Sequence, residues 1–144
     1  MLRVENLRKT FVPPEGSGSE PVVPVVDIER FSLAAGDQVA LLGSSGSGKT
    51  TLLHLLAGIL APDARGGGLI EYTVNSQKVV LSSLNEAGRD RFRGQHIGYI
   101  FQTHHLLPGL TAIENVLMGM SFTGRSADRP WATHLLDQIG RAHV

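Results

Sequence analysis

The feature that most constrains this chain is the run Gly43 to Thr50, which reads GSSGSGKT. It fills every position of the pattern G-x-x-x-x-G-K-[ST], in which small residues let successive backbone N–H groups turn inward around phosphate. The pattern predicts that Lys49 reaches the β- and γ-phosphates of a nucleotide and that the Thr50 hydroxyl ligates Mg²⁺. A helix that begins at about Gly48 would direct its positive end at the same phosphates.

The flanking sequence argues against the alternative that this run is a flexible Gly/Ser linker. Residues 37–42 are apolar after a polar start, as expected of a buried parallel strand. Residues 51–60 are apolar on nearly every face and predict a helix buried in a core. Strand, loop and helix therefore follow in the order that an α/β nucleotide-binding core requires. The match is stronger evidence for nucleotide binding than for what is done with the nucleotide.

Composition limits the partners that we expect. The 13 basic and 13 acidic side chains cancel, so net charge does not favour nucleic acid or an anionic membrane. The absence of cysteine excludes disulfides and thiolate metal sites and fits a reducing compartment. The N-terminus has no apolar signal core, and no apolar run approaches the roughly 20 residues that span a bilayer. We therefore expect a cytosolic chain that meets a membrane only through a partner.

Local patterns predict the remaining elements. Those typical of β-strands occur at residues 2–11, 22–33, 69–74, 78–81 and 96–101, the third and fourth forming a hairpin. Residues 12–21 are dense in Pro, Gly and Ser and predict an exposed loop, and residues 85–93 predict a short solvated helix. Thr111 and Glu114 form a capping box, which places a helix start near Ala112. We expect the last amphipathic stretch to pack in the core through Trp131, Leu135, Leu136 and Ile139.

Two further segments carry a resemblance to a known family. From residue 97 the chain reads IGYIFQ, and residues 106–116 follow the pattern LLPxLTAxENV. Together with GSSGSGKT, these segments resemble the ATPase subunit of ABC transporters. The sequence of residues 104–108, HHLLP, is most similar to that of the lipoprotein-releasing and macrolide-exporter branch. The resemblance extends to about Asp137.

The resemblance implies the N-terminal part of one incomplete ATPase domain. Its fold class is α/β, with a P-loop NTPase core and an antiparallel β portion in residues 1–101. Residues 102–137 would contain the Q-loop and the start of a helical subdomain. Residues 138–144 can be encoded by CAG ATC GGA AGA GCA CAC GTC, which is similar to a widely used sequencing adapter. We expect these last residues to be read-through rather than native sequence.

The resemblance also assigns roles to single residues. Phe11 lies where the family places an adenine-stacking aromatic, usually tyrosine, and the alternative is a core residue at a strand end. Gln102 matches the Q-loop glutamine, which senses Mg²⁺ and the γ-phosphate, and the alternative is a surface amide. Lys49 and Gln102 are the implied catalytic residues, and Thr50 and Gln102 the implied metal contacts. The implied nucleotide-binding set is Phe11, Gly43, Ser44, Ser45, Gly46, Ser47, Gly48, Lys49, Thr50 and Thr51.

Histidines offer a competing interpretation as metal ligands. Adjacent side chains on an extended segment point to opposite sides, so His104 and His105 are poorly placed to chelate one ion. We expect them to line a surface or an interface. His54 lies on the predicted buried helix, where a core histidine with its hydrogen bonds satisfied is expected.

The function implied by the resemblance is that of the ATP-binding subunit of an ABC exporter, which couples ATP binding and hydrolysis to lipoprotein release or macrolide-type efflux. The implied cofactors are ATP and Mg²⁺. The implied partners are a transmembrane permease subunit and a second ATPase subunit, at the cytoplasmic face of the inner (plasma) membrane. The alternatives are another P-loop NTPase, such as a kinase or GTPase, or a non-catalytic nucleotide-binding module in an envelope assembly.

The family's signature segment, Walker-B strand and switch histidine have no counterpart in these 144 residues. Phosphoryl transfer depends on the positioning and the charge stabilisation that such groups supply. We therefore expect the chain as written to bind nucleotide weakly and to hydrolyse it negligibly. Parallel strands that would cover its apolar faces are also missing from the pattern.

Overall fold

A computed structural model describes residues 1–11, 23–64, 66–103, 105–123 and 126–141. They belong to two compact units, Met1–Asp90 and Arg91–Val144. The predicted loop at residues 12–21 lies outside the described residues. The elements are β1 (Leu2–Lys9), β2 (Val26–Leu33), α1 (Lys49–Leu56), β3 (Leu69–Val74), β4 (Gln77–Val80), a 3₁₀ turn (Leu81–Ser83), α2 (Glu86–His96), α3 (Ala112–Ser121) and α4 (Arg129–Arg141).

The first unit is built on a four-stranded antiparallel sheet in the order β2-β1-β3-β4. The register of β1 runs from Leu2 opposite Leu33 to Lys9 opposite Val26 on one side, while its first residues pair with β3 on the other. The predicted hairpin is confirmed, since β3 and β4 are joined through Asn75 and Ser76. Both residues have positive φ, 49° and 65°, as a two-residue turn between twisted strands requires.

The core of the first unit contains residues from the sheet, α1 and the 3₁₀ turn. Its largest fully buried side chains are Val4, Leu7, Leu55, Ile70 and Leu81. The Tyr72 hydroxyl donates to the carbonyl of Leu56 at 2.8 Å, and this bond joins β3 to the end of α1. Burial raises the pKa of Tyr72 to about 12.

The strand predicted at residues 37–42 is wrong. Asp37 follows a turn and accepts a hydrogen bond from the Ala34 N–H at 2.7 Å, and residues 38–44 have no regular structure. The side chains of Val39 and Leu42 are 56% and 90% exposed. A parallel strand forms only where neighbouring strands satisfy its edges, and none in the described part of the chain pairs with this segment.

The helix predicted after the loop is confirmed at its start and corrected in its burial. It begins directly after Gly48, as expected, but ends at Leu56. Leu55 is its one buried side chain, and Leu53 is 45% exposed. An apolar groove of about 240 Å³ lies along β2, residues 39–41 and this helix. Part of the apolar surface of α1 therefore lines an open groove, so the helix is not buried on all sides.

In α2 the predicted polar helix is confirmed and is longer than expected. It continues to His96, and residues 97–101 have no regular structure, so the strand predicted at 96–101 is wrong. Ile100 is 97% exposed, and no strand among the described residues lies beside it. A short apolar run without a partner strand cannot satisfy its backbone groups by pairing.

The second unit also contains α3 and α4, which pack against each other. The predicted capping box is confirmed at Thr111, as described below. Among the described side chains of α4, Ala132 is buried and Leu135 and Leu136 are half-buried. Trp131 and Ile139 are 50% and 59% exposed, so the prediction of these two as core residues is wrong. A helix packed along one neighbour buries only a narrow stripe, and small Ala132 occupies it. None of the described helices combines the length and apolarity needed to cross a membrane.

Candidate nucleotide-binding site

Residues 43–48 form a largely exposed loop, and Lys49 and Thr50 begin α1; we call residues 43–50 the phosphate loop. Gly46 and Gly48 have φ values of 80° and 84°, a backbone region that favours glycine. A Cβ atom at Gly48 would lie 2.4 Å from the carbonyl oxygen of Val25. The loop therefore requires glycine at position 48 both for its turn and for its close approach to the backbone before β2.

Lys49 folds back over the phosphate loop. Its Nζ donates to the carbonyl oxygens of Gly43 at 2.8 Å and Ser44 at 2.6 Å, and to the Ser47 hydroxyl at 3.2 Å. An ammonium group has three donors, so these bonds use all of them. The geometry thus holds the positive charge of Lys49 at the centre of the loop, where the sequence predicts phosphate.

The start of α1 supplies further donors. The Leu52 N–H donates to the carbonyl of Gly48 at 2.8 Å, which is the first bond of the helix. The N–H groups of Lys49, Thr50 and Thr51 consequently have no acceptor within the helix. Together with the ammonium group, they form a donor set that suits a polyphosphate.

Thr50 is exposed on the first turn of α1, and its hydroxyl oxygen is a ligand type that Mg²⁺ accepts. Within the described ranges no group of three or more His, Cys, Asp or Glu side chains could hold a metal ion. The residues present fit a Mg²⁺ ion that Thr50 would hold together with phosphate oxygens and waters, ligands that this ion commonly takes.

A cavity of about 300 Å³ adjoins the phosphate loop. Ser47, Gly48 and Lys49 form part of its wall, and Val26 and Asp27 of β2 form another part. Asp27 lies 3.5 Å from the guanidinium of Arg8, so its carboxylate is paired with a cation next to the cavity.

Phe11 follows β1 by two residues and is 50% exposed, so it is not a buried core residue. The Lys9 ammonium lies 5.7 Å from the centroid of its ring. This ring is accessible to a stacking partner. Its contact with adenine stays a prediction.

Gln102 belongs to the second unit and is exposed. The preceding Phe101 ring contacts the rings of Tyr99 and His105, with centroids 4.6 Å and 4.9 Å apart. His105 also lies within hydrogen-bond distance of the Thr103 hydroxyl, at 2.8 Å. The predicted action of Gln102 on phosphate and Mg²⁺ stays a prediction, as does the lining role of His105, and His104 lies outside the described residues.

His54 lies on α1 and is half-buried rather than enclosed in a core. The prediction that His54 lies on this helix is confirmed, whereas the prediction that it is a core residue is wrong.

Sequence reasoning missed two polar residues that shape the loops. Asn115 accepts from the Leu107 N–H at 2.8 Å and donates to the carbonyls of Leu110 and Thr111 at 3.2 Å and 3.1 Å, fixing the turn before α3. Asp63 accepts from the Thr10 N–H at 3.1 Å. An asparagine within a predicted helix start was the available signal for the first, whereas the Pro-Asp pair that contains Asp63 predicted only a loop.

Comparison with known proteins identifies the family. A family model described as ABC transporter matches residues 26–144. The chain belongs to the ABC transporter family. This confirms the resemblance carried by the phosphate loop and residues 97–116.

Two relatives show which ABC transporter proteins are similar. The chain is 39% identical over 145 residues to the lipoprotein-releasing system ATP-binding protein LolD of Xanthomonas oryzae pv. oryzae, covering 99% of this chain and 54% of the relative. It is 40% identical over 146 residues to LolD of Hydrogenovibrio crunogenus, covering 99% and 58%. The chain thus spans about half the length of the curated relatives that it matches.

A solved structure confirms the fold class. A dimeric ATP-binding cassette in a post-hydrolysis state, bound to ADP and Pi, matches with a TM-score of 0.77 and 26% identity. The match covers 95% of this chain and 56% of that one. The chain therefore has the α/β P-loop NTPase fold of ABC cassettes over the part that it shares with them.

Proposed function

We propose that this chain is the nucleotide-binding part of an ABC exporter ATPase, which couples ATP binding and hydrolysis to lipoprotein release or macrolide-type efflux. The observation that carries the proposal is the position of Lys49, whose ammonium group lies within 2.6–3.2 Å of three acceptors in the phosphate loop. Similarity to LolD over the whole chain supports lipoprotein release as the transported step.

The geometry of the phosphate loop supports the role that we propose for Lys49. Incoming phosphate oxygens replace the carbonyl oxygens of Gly43 and Ser44 as acceptors for Lys49, while N–H groups at the start of α1 donate to the same phosphates. Thr50 and Gln102 are the proposed contacts of Mg²⁺, which neutralises charge on the phosphates when it is bound. Phe11 stacks on the adenine.

The proposed partners are a transmembrane permease subunit and a second ATPase subunit, and the proposed location is the cytoplasmic face of the inner membrane. The dimeric form of the similar cassette supports pairing of two ATPase subunits. Hydrolysis requires the signature segment and the carboxylates of Walker B, so we propose that the 144 residues alone bind nucleotide but hydrolyse it negligibly. A non-catalytic module in an envelope assembly is the second candidate, favoured if those carboxylates are missing from the complete gene product.

Substitution of Lys49 tests the proposal. In Lys49→Ala we expect affinity for ATP–Mg²⁺ to fall by about 10- to 150-fold, because hydrogen bonds to charged groups contribute about 1.5–3 kcal/mol. Isothermal titration calorimetry measures the change. Lys78→Ala is the matched control, since Lys78 is an exposed lysine of the same unit that pairs with Glu71 at 3.1 Å. Equal affinity of Lys49→Ala and the unsubstituted chain would contradict the proposal.

A further inference from the structure

We propose that Asp63 is a positioning residue for adenine recognition, holding the end of β1 so that Phe11 presents an open ring face to the base. The inference rests on the proposed function and adds to it a residue outside the phosphate loop. Asp63 itself contacts neither nucleotide nor metal in this proposal. It acts through Thr10, Lys9 and Phe11.

Asp63 makes two hydrogen bonds to the backbone at the end of β1, one through its own backbone and one through its side chain. Its backbone N–H donates to the carbonyl of Arg8 at 3.1 Å, and its side-chain Oδ1 accepts from the Thr10 N–H at 3.1 Å. Thr10 immediately precedes Phe11, so the second bond fixes the Lys9–Thr10 peptide, one residue before the aromatic side chain. Asp63 therefore restrains the backbone that positions the Phe11 ring.

The same carboxylate also orients Lys9. The Lys9 ammonium lies 3.8 Å from Asp63 Oδ1 and 5.7 Å from the centroid of the Phe11 ring. The side chains of Lys9 and Asp63 are only 19% and 23% exposed, whereas Phe11 is 50% exposed. A cation at this distance is attracted to the face of an aromatic ring. The arrangement takes up one side of the ring and keeps the rest of it accessible to a planar base.

The loop that carries Asp63 is packed tightly enough to hold this position. A Cβ atom at Gly67 would lie 2.0 Å from the carbonyl oxygen of Asp63, and one at Gly68 would lie 2.2 Å from the carbonyl oxygen of Asn6. The Arg8 N–H donates to the carbonyl of Gly67 at 3.2 Å. Backbone therefore meets backbone along this side of β1, with no space for a side chain between them.

The ionised form of Asp63 is the one that these interactions with Thr10 and Lys9 require. Partial burial acts to raise its pKa, but the hydrogen bonds from Thr10 and the charges of Lys9 and Arg8 outweigh burial, and the pKa is lowered below its ordinary value. The carboxylate is consequently ionised throughout the neutral range, and the pair with Lys9 persists there.

A double-mutant cycle between Asp63 and Phe11 separates positioning from general stabilisation. Two probes are titrated, ATP–Mg²⁺ and inorganic tripolyphosphate, which carries the phosphates without the base. We expect Phe11→Ala to weaken ATP binding at least about fivefold through loss of stacking. We expect Asp63→Ala to weaken it about fivefold, the cost of ordering one or two released side chains on binding. Neither substitution should change tripolyphosphate affinity.

The decisive measurement is the double variant. If Asp63 acts through Phe11, adding Asp63→Ala to Phe11→Ala produces no further loss of ATP affinity. A further loss, or an equal loss for tripolyphosphate, overturns the proposal, as does unchanged ATP binding in either single variant. These outcomes leave the proposed function of the phosphate loop intact as long as Lys49→Ala still weakens binding of both probes.

Two more variants serve as controls for the test. Asp37→Ala removes a comparable bond from carboxylate to backbone, to the Ala34 N–H, and should change neither affinity. Asp63→Asn keeps an acceptor for Thr10 but loses the charge beside Lys9, so we expect an ATP affinity between those of the unsubstituted chain and Asp63→Ala. If circular dichroism shows that Asp63→Ala is unfolded, Asp63→Asn replaces it in the cycle, with the same criterion.

Discussion

Leu53 and Leu55 lie two positions apart on α1 and have opposite surroundings. Leu55 is fully buried in the core of the first unit, whereas Leu53 is 45% exposed along the apolar groove. The sequence predicts burial for both, because a run of leucines does not reveal which faces of the helix meet a neighbour. The difference between them follows from the fold and is accessible to experiment.

We expect Leu55→Ala to lower the free energy of unfolding by about 2–5 kcal/mol, through lost burial and the cavity that remains. Leu53→Ala, the matched control, should cost well under half of that, since its side chain keeps much of its contact with water. Urea unfolding of both variants measures the two losses. Equal losses would mean that α1 is buried on both faces.

At the scale of elements, the predictions that held depend on chemistry within a few residues. Gly48 places the start of α1, Thr111 and Glu114 place the start of α3, and Asn75 with Ser76 turns the hairpin. Residues 37–42 and 96–101 were predicted as strands from apolarity alone. A strand needs an edge partner from elsewhere in the fold, so its own residues could not establish it.

The capping box gives a pH dependence to α3. The Thr111 Oγ1 accepts from the Glu114 N–H at 3.4 Å, and Glu114 Oε2 accepts from the Thr111 N–H at 2.8 Å and from its hydroxyl at 2.7 Å. The bonds from the Thr111 side chain and backbone hold the pKa of Glu114 below its ordinary value of 4.5, against the opposing effect of burial and with help from Arg129.

A lowered carboxyl pKa stabilises the fold above the unfolded value and loses that contribution as pH falls through the folded value. We therefore expect the start of α3 to fray as the pH falls below 4.5, the ordinary pKa of this carboxyl, which NMR chemical shifts of residues 111–115 measure. Glu114→Gln should remove most of this dependence. Glu86→Gln, at the first turn of α2, is the matched control and should leave it unchanged.

At the scale of the whole molecule, the two units differ in how much apolar surface they enclose. Four of the five largest buried side chains come from the sheet and α1, and the fifth from the 3₁₀ turn. In the described part of Arg91–Val144, the buried residues are Phe92 and Ala132. Resistance to local opening follows the extent of such burial.

We accordingly expect backbone amides of β1 and β3 to exchange with solvent at least about tenfold more slowly than those of α4, since elements with few buried contacts open at low cost. Hydrogen exchange followed by mass spectrometry makes the comparison within one sample, so stability differences between preparations do not enter. Equal protection of β1 and α4 would show that the second unit is stabilised as well as the first.

Sequence reasoning predicted features that depend on neighbouring residues and missed features that depend on residues far apart in sequence. The motif GSSGSGKT predicted the phosphate loop, and its combination with residues 97–116 indicated the family, because each of these patterns lies within a short stretch of sequence. It did not identify Asp63, whose partners Arg8 and Thr10 lie more than fifty positions away in sequence. Long-range polar contacts of this kind become visible only when the sheet brings the two segments together.

The hydrogen bonds of Lys49 to its own loop have a consequence for the rate of nucleotide binding. Since the carbonyls of Gly43 and Ser44 already occupy the ammonium, each arriving phosphate oxygen must displace a resident acceptor. If Lys49 must release a carbonyl before phosphate can bind, we expect the observed association rate constant to level off at high nucleotide concentration, at the rate constant of that release. At such concentrations the rate of nucleotide binding would depend on the protein and no longer on the frequency of collision with ATP.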